Sequence, residues 1–276
     1  MYTFHKFGKD YSVLRKEAID HYKNGLRCTQ IATKMDLDRR TVGKWLKEEG
    51  FVYSKCNKAS IDSSVFNTIN TPEKAYWLGF IFADGYVSKE SNFELSLGIK
   101  DLDHLNKFKD FIKFEGKIYI DNKVGRCRLQ FQDSQIVDSL KKVGCVNKKS
   151  LILRFPNIDR SLFSHFIRGY FDGDGSINDP KNSTSVNIIG TKEFLESVHD
   201  IVDIPKYKIK HRQPKHSLEV NISQFSGEHA RKFGRFIYQD STIHLERKHE
   251  RFIKHLEKHE LRIKNSETKR VSKTMD

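Results

Sequence analysis

Two stretches of this chain end an apolar, aromatic-rich helical pattern in an aspartate and a glycine. "WLGFIFADGYV" (Trp77–Val87) sets Asp84 before Gly85, and "FIRGYFDGDGSIN" (Phe166–Asn178) sets Asp174 before Gly175. A carboxylate at a helix C-terminus meets the negative end of the helix dipole, at a cost of a few tenths to about 1 kcal/mol. Each pattern also carries small residues four apart just ahead of its aspartate, Gly79 and Ala83 in the first and Gly169 and Gly173 in the second. Positions i and i+4 share a helix face, and small residues there let two backbones approach closely. Two such helices packed side by side bring Asp84 and Asp174 to the same end, where the like charges repel. A divalent cation relieves the repulsion and the dipole cost together. Hard carboxylate oxygens suit Mg²⁺ or a similar divalent cation, which keeps water and takes phosphate oxygens as its remaining ligands.

The elements that must hold these residues come in two matching sets. Thr71-Pro72-Glu73 opens a helix, with Thr71 as cap and Pro72 at the first position. "SNFELSLGIK" alternates, with Phe93, Leu95, Leu97 and Ile99 on one face and Lys100 on the wet one. "DLDHLNKFKDFIKF" is amphipathic, "GKIYIDNKVGRCRLQFQ" reads as a hairpin, and "DSQIVDSLKKVG" as a helix between Asp133 and Gly144. The order then recurs: "LGIKD" is echoed by "IGTKE", and "RLQFQ" by "EVNIS" (Glu219–Ser223), an alignment that sets Gln132 and Ser223 at equivalent last-strand ends. The expected fold is α+β, two pseudo-symmetric αββαββα repeats with antiparallel saddle-shaped sheets. The repeats span 72–156 and 157–263, after a small all-α domain (1–52) and a polar linker (53–71), and before a disordered tail (264–276).

Fifty Lys and Arg against 36 Asp and Glu leave the chain at +14, which calls for a polyanionic partner, nucleic acid before membrane. The first fifty residues read as three short helices, the third ("RRTVGKWLKEEG") with Val42, Trp45 and Leu46 inward and Arg39, Arg40 and Lys44 outward. That is the layout of a helix-turn-helix, a bundle without a DNA role being the plainer alternative. Strand parity puts Arg126, Arg128, Gln130 and Gln132 on one face of one hairpin, and Lys206, Lys208, Lys210 and Arg212 on one face of another. Arg and Lys suit guanine edges and phosphates, and Gln suits adenine, so both faces fit a major groove. Four cysteines have no zinc spacing and read as reduced thiols. The histidines of "HLERKHERFIKHLEKHE" fit no H-E-x-x-H helix and read as solvated or phosphate-facing. "DGDGSINDPKNS" lacks the glycine and glutamate of a calcium loop. No apolar run is long enough to span a membrane and no secretory leader stands at "MYTFHKFGKDY", so the expected location is the cytoplasm.

Over roughly Thr71 to Glu260 the chain resembles the LAGLIDADG homing endonucleases of the single-chain, two-motif kind. The family's nine-residue motif falls on Trp77–Gly85 and Ile167–Gly175, and its metal-binding acid on Asp84 and Asp174. The sixth motif position, usually structural, is Phe82 in one copy and Asp172 in the other. The resemblance also implies a basic or polar group near the scissile phosphate, for which Lys100 and Gln132 are the assignments. The implied activity is metal-dependent double-strand cleavage of a long, asymmetric target in double-stranded DNA, by a monomer. The rival is a non-catalytic binder such as an intron RNA maturase or a DNA-binding regulator. An intein-borne domain is disfavoured by the helix-turn-helix that opens the chain and by its ending "KTMD".

Overall fold

The computed structural model describes residues 11–26, 28–51, 59–178, 185–206, 209–212 and 220–257, with only the backbone of Arg212 and Val220. The expected disordered tail lies outside the described residues. The chain divides into two compact units, 1–59 and 60–276.

In the first unit, α1 (Tyr11–Lys23), α2 (Cys28–Lys34) and α3 (Arg39–Glu48) close round Ala18, Ile19, Ile31, Val42, Trp45 and Leu46. The α2–α3 turn is made by two aspartates. Asp36 takes positive φ (50°), and Asp38 caps α3 by accepting from the Arg40 amide at 2.7 Å.

The second unit carries two copies of one topology. The first is α4 (Pro72–Asp84), β1 (Gly85–Val87), β2 (Asn92–Gly98), α5 (Leu102–Phe111), β3 (Tyr119–Asp121), β4 (Arg126–Gln132) and α6 (Ser134–Lys142). The second is α7 (Phe163–Asp174), β5 (Gly175–Asn178), β6 (Ser185–Gly190), α8 (Lys192–Val202), β7 (Ile209–Arg212), β8 (Val220–Ser226) and α9 (Gly227–Tyr238), followed by α10 over 246–257. Each copy forms a four-stranded antiparallel sheet, in the orders β1-β2-β4-β3 and β5-β6-β8-β7. Phe93, Leu95, Leu97, Cys127 and Leu129 are buried on the inner face of the first sheet, and Ile177, Val186, Ile188 and Phe225 on that of the second.

Two expectations are corrected. The later part of the linker packs on the first repeat instead of running free. Val65 and Phe66 are buried, the Ser63 hydroxyl donates to Asp133 at 2.7 Å, and the Asp62 amide donates to the Ile112 carbonyl. The second correction is one of register. Gly85 opposes Leu95 as Gly175 opposes Ile188, which makes Ser226, opposite Ser185, the counterpart of Gln132, opposite Asn92. Ser223 is no strand end. It lies mid-strand, fully buried, with its hydroxyl 2.8 Å from His199 Nε2.

Candidate active site

The two motif helices, α4 and α7, pack backbone against backbone. A Cβ on Gly79 falls 2.0 Å from the Phe166 carbonyl oxygen, and one on Gly169 falls 1.9 Å from that of Tyr76. Farther along, a Cβ on Gly173 meets that of Ala83 at 2.3 Å and Asp84 Oδ2 at 3.3 Å. Only glycine admits this approach, and it sets the C-terminal ends of both helices, with Asp84 and Asp174, beside each other. Both residues are exposed to solvent. Desolvation first, then the charge of Asp174, pushes Asp84 up to about 6. Desolvation also raises Asp174, whose carboxylate lies within reach of the Tyr170 hydroxyl. That hydroxyl donates to the Ile189 carbonyl at 2.7 Å. A groove of about 400 Å³ leads from Asp174 past Tyr170, Thr191 and Asn221.

Two buried lysines hold the helix ends. Lys248, on α10 and 4% exposed, donates to the carbonyls of Phe171 and Asp172 at 2.7 Å and of Gly173 at 3.1 Å, the open end of α7. Lys149, 9% exposed, donates to the Gly85 carbonyl at the end of α4. Both ammonium groups pull Asp84 and Asp174 back toward the charged form. Burial in turn lowers Lys248 to about 8. The dipole cost expected of an aspartate at a helix C-terminus is thus met partly by the protein's own cations. These lysines were not found in the sequence, where nothing in their spacing marks them.

Asp172 is structural in this fold. It is 1% exposed, accepts from the Tyr76 hydroxyl (2.8 Å), the Tyr238 hydroxyl (3.1 Å) and the Leu245 amide (2.7 Å), and burial raises it to about 6. Arg168, fully buried, donates to the carbonyls of Ile237 and Ile243 at 2.8 Å. Arg247 pairs with Asp101 through two bonds of 2.8 and 3.0 Å. The segment from α9 to α10 is therefore strapped across α7 and onto the first repeat.

The family model of the WhiA LAGLIDADG-like domain matches residues 73–155 and 163–227. The chain belongs to the LAGLIDADG-like family. Residues 12–51 match the model of a Homeodomain-like domain. Among solved structures, the chain is similar to the homing endonuclease I-SmaMI bound to cleaved DNA (14% identity, TM-score 0.45, 67% of this chain and 87% of that one). It is also similar to I-LtrWI bound to target DNA (14%, 0.42, 64% and 83%) and to I-CpaMI bound to uncleaved DNA (16%, 0.42, 63% and 87%). No curated protein matches the chain significantly.

The other residues singled out in this LAGLIDADG-like chain are not all brought to the aspartates. Lys100 lies in a 3-10 turn (Ile99–Asp101) beyond β2, exposed and alongside Gly98. Gln132 sits at the opposite end of the sheet, three ladder positions along and two strands across from Gly85, roughly 14 Å away, with its amide donating to Ser91 at 3.0 Å. The cations acting on the carboxylates are Lys149 and Lys248 in place of Lys100. Arg126, Arg128, Gln130 and Gln132 are all exposed on the outer face of the first sheet, where Arg128 faces Glu94 at 3.7 Å. The second sheet differs from the expectation. Lys206 precedes β7 and pairs with Asp200 at 2.9 Å, Lys208 lies outside the described residues, and Arg212 is placed in β7 by its backbone. Lys210 does reach the outer face, donating to Gln224 at 3.3 Å among Ser176, Asn178 and Asn187.

In the first unit, taken by itself, Arg39, Arg40 and Lys44 are exposed on α3, Arg40 and Lys44 on the side away from Val42, Trp45 and Leu46 and Arg39 at the helix's first position. Among the described residues, no helix is long and apolar enough to cross a membrane.

Proposed function

We propose that the chain is a site-specific DNA endonuclease that makes a metal-dependent double-strand break in a long, asymmetric target. The observation that carries this reading is the carboxylate pair. Asp84 and Asp174 come one from each repeat and meet at the ends of two helices pressed together by glycine, open to solvent and raised in pKa by desolvation. Two hard oxygen donors with an open side fit a divalent cation such as Mg²⁺. When bound, such an ion supplies charge neutralisation and an activated water for phosphodiester hydrolysis. Asp84 and Asp174 hold it, while Lys149 and Lys248 fix the helix ends that aim them. The outer sheet faces, through Arg126, Arg128, Gln130 and Lys210, bind backbone and base edges along the major groove. Arg39, Arg40 and Lys44 extend the contact in the manner of a recognition helix. Because one chain carries both halves and the halves differ, a monomer reads an asymmetric site.

A second reading, a non-catalytic binder such as a DNA-binding regulator or an RNA maturase, is favoured by the same two lysines. Their ammonium groups offset part of the aspartates' charge without any metal. One experiment decides between the two. Duplexes selected for binding from a random library are incubated with the protein in Mg²⁺ and in chelator, alongside Asp84→Asn and Asp174→Asn. The endonuclease reading expects cleavage in Mg²⁺ alone, lost in each variant while binding stays within a few-fold. Tight binding with no cleavage by the parent in any divalent cation establishes the binder instead.

A further inference from the structure

The turn leading into α10 gathers three metal-ligating side chains on the strap described above, apart from the aspartate pair. His244, Glu246 and His249 bring one ligand atom each to within 4.8 Å of one another. The two imidazoles stack at 3.9 Å between centroids, tilted by 27°, and are half-buried, where the sequence suggested solvated or phosphate-facing rings. His244 Nδ1 lies 2.8 Å from the Ser241 hydroxyl, which fixes that nitrogen and leaves Nε2 facing Glu246 Oε2 at 3.4 Å. A partner on one ring nitrogen that frees the other is how ligating histidines are held. Tyr238 packs its ring edge-on against His249 at 4.9 Å and limits how far that ring can turn.

We propose that His244, Glu246 and His249 form a binding site for a borderline transition-metal ion of the Zn²⁺ class. Two nitrogens and one carboxylate oxygen make a three-ligand set of the kind zinc accepts with water in the fourth position. The ligand atoms must close from within 4.8 Å to the ~3.4 Å spacing of a tetrahedral site with bonds of about 2.1 Å. Rotation of three partly exposed side chains provides that. The electrostatic surroundings decide which metal enters. Lys107 and Arg168 act on His244 from α5 and α7, opposing any cation, whereas Glu246 and Glu250 favour one. Hard ions held mainly by field, such as Mg²⁺ and Ca²⁺, gain little at such a place. Metals that form strong bonds to imidazole bind in spite of it. Burial keeps both imidazoles below their ordinary pKa, hence neutral and free to ligate at pH 7. A metal here ties 244 to 249 directly beside Arg247 and Lys248, and so stiffens the clamp on α7.

The test uses the full chain carrying Asp84→Asn and Asp174→Asn, so that metal at the aspartate pair does not contribute. Co²⁺ titration should give a saturable visible absorption with one ion per chain, displaced by Zn²⁺ and unaffected by a large excess of Mg²⁺. Zn²⁺ should also raise the thermal midpoint. His249→Gln and Glu246→Gln in the same background should each weaken Co²⁺ binding by at least tenfold with the circular dichroism of the parent, while His229→Gln, on α9, should not change it. Absence of a Co²⁺ band in the parent, or a band that survives His249→Gln, overturns the proposal. The outcome is independent of whether the chain cleaves DNA.

Discussion

Replacing Gly169 by alanine tests the contact on which the site depends. The added Cβ stands 1.9 Å from the Tyr76 carbonyl oxygen and 2.8 Å from its carbon, both backbone atoms, so no side-chain rotation relieves the clash. Parting the helices by about 1.1 Å brings that contact only to about 3.0 Å, still tighter than nine in ten real Cβ contacts. A gap of 0.5–1 Å already forfeits roughly a quarter to a half of the dispersion energy of the atoms facing it. The loss runs along the whole of α4 and α7, from Gly79 against Phe166 to Gly173 against Ala83. Overpacking usually costs about 1–3 kcal/mol, and with backbone on both sides this case belongs at about 3 kcal/mol or more. At about 2–4 °C per kcal/mol for a unit of this size, the thermal midpoint should fall by about 6–12 °C. Gly79→Ala should behave alike, since its Cβ meets the Phe166 oxygen at 2.0 Å. Gly98→Ala is the control, because its nearest neighbours are at 3.8 Å and its φ is −64°. Differential scanning calorimetry reads all three. Midpoints of Gly79→Ala and Gly169→Ala within about 2 °C of the parent would refute the backbone contact and the placement of the aspartates with it.

Other expectations follow from the charges. Asp84 is raised from 3.8 to about 6, so the folded chain keeps a proton that the unfolded chain releases between those values. Its contribution to stability therefore falls as pH rises from about 4 to 6, and the urea midpoint of Asp84→Asn should gain on the parent across that window and run parallel above it. On the proposed endonuclease reading, cleavage needs the ionised form and should rise through about pH 6 in the parent, and a cleavage rate flat from pH 5 to 7 would count against that role for Asp84. Lys248→Met should lower the unfolding free energy by about 3 kcal/mol, because it strips three carbonyls and the buried Asp172 of their cation. By chemical-shift titration it should also move Asp84 and Asp174 upward. Arg126→Ala with Arg128→Ala should make the slope of log affinity against log salt shallower by about 0.9 for each phosphate no longer neutralised, in filter-binding measurements. An unchanged affinity would mean that the outer face of the first sheet does not meet DNA.

The two repeats were legible because each element in them has its own period. Phe93, Leu95 and Leu97 alternate, α6 stops at Gly144, and Thr71-Pro72 starts α4. The meeting of α4 and α7 was legible because small residues four apart have few other uses on such apolar helices. The last strand was misaligned for a physical reason. In β8 the inward position is the polar Ser223, satisfied by buried His199, while the apolar Ile222 faces outward opposite Ile189 and Lys210. A binary pattern assigns those two the other way, and a shift of parity flips every side chain to the wrong face. Lys149 and Lys248 escaped notice because a lysine among polar residues reads as surface. Only the fold shows that its ammonium group ends on the carbonyls of a helix some seventy residues earlier.

The strap between α9 and α10 has a consequence for how the protein is made. Asp174 has its full surroundings only when Leu245 has bonded Asp172 and Lys248 has closed the end of α7, and Asp84 lacks its partner until the second repeat has folded. A chain cut short between residues 175 and 244 thus carries both aspartates but lacks the Leu245 amide and the Lys248 ammonium group that complete their surroundings. The surroundings of the aspartate pair are completed late in chain order, by groups some seventy residues beyond the second motif.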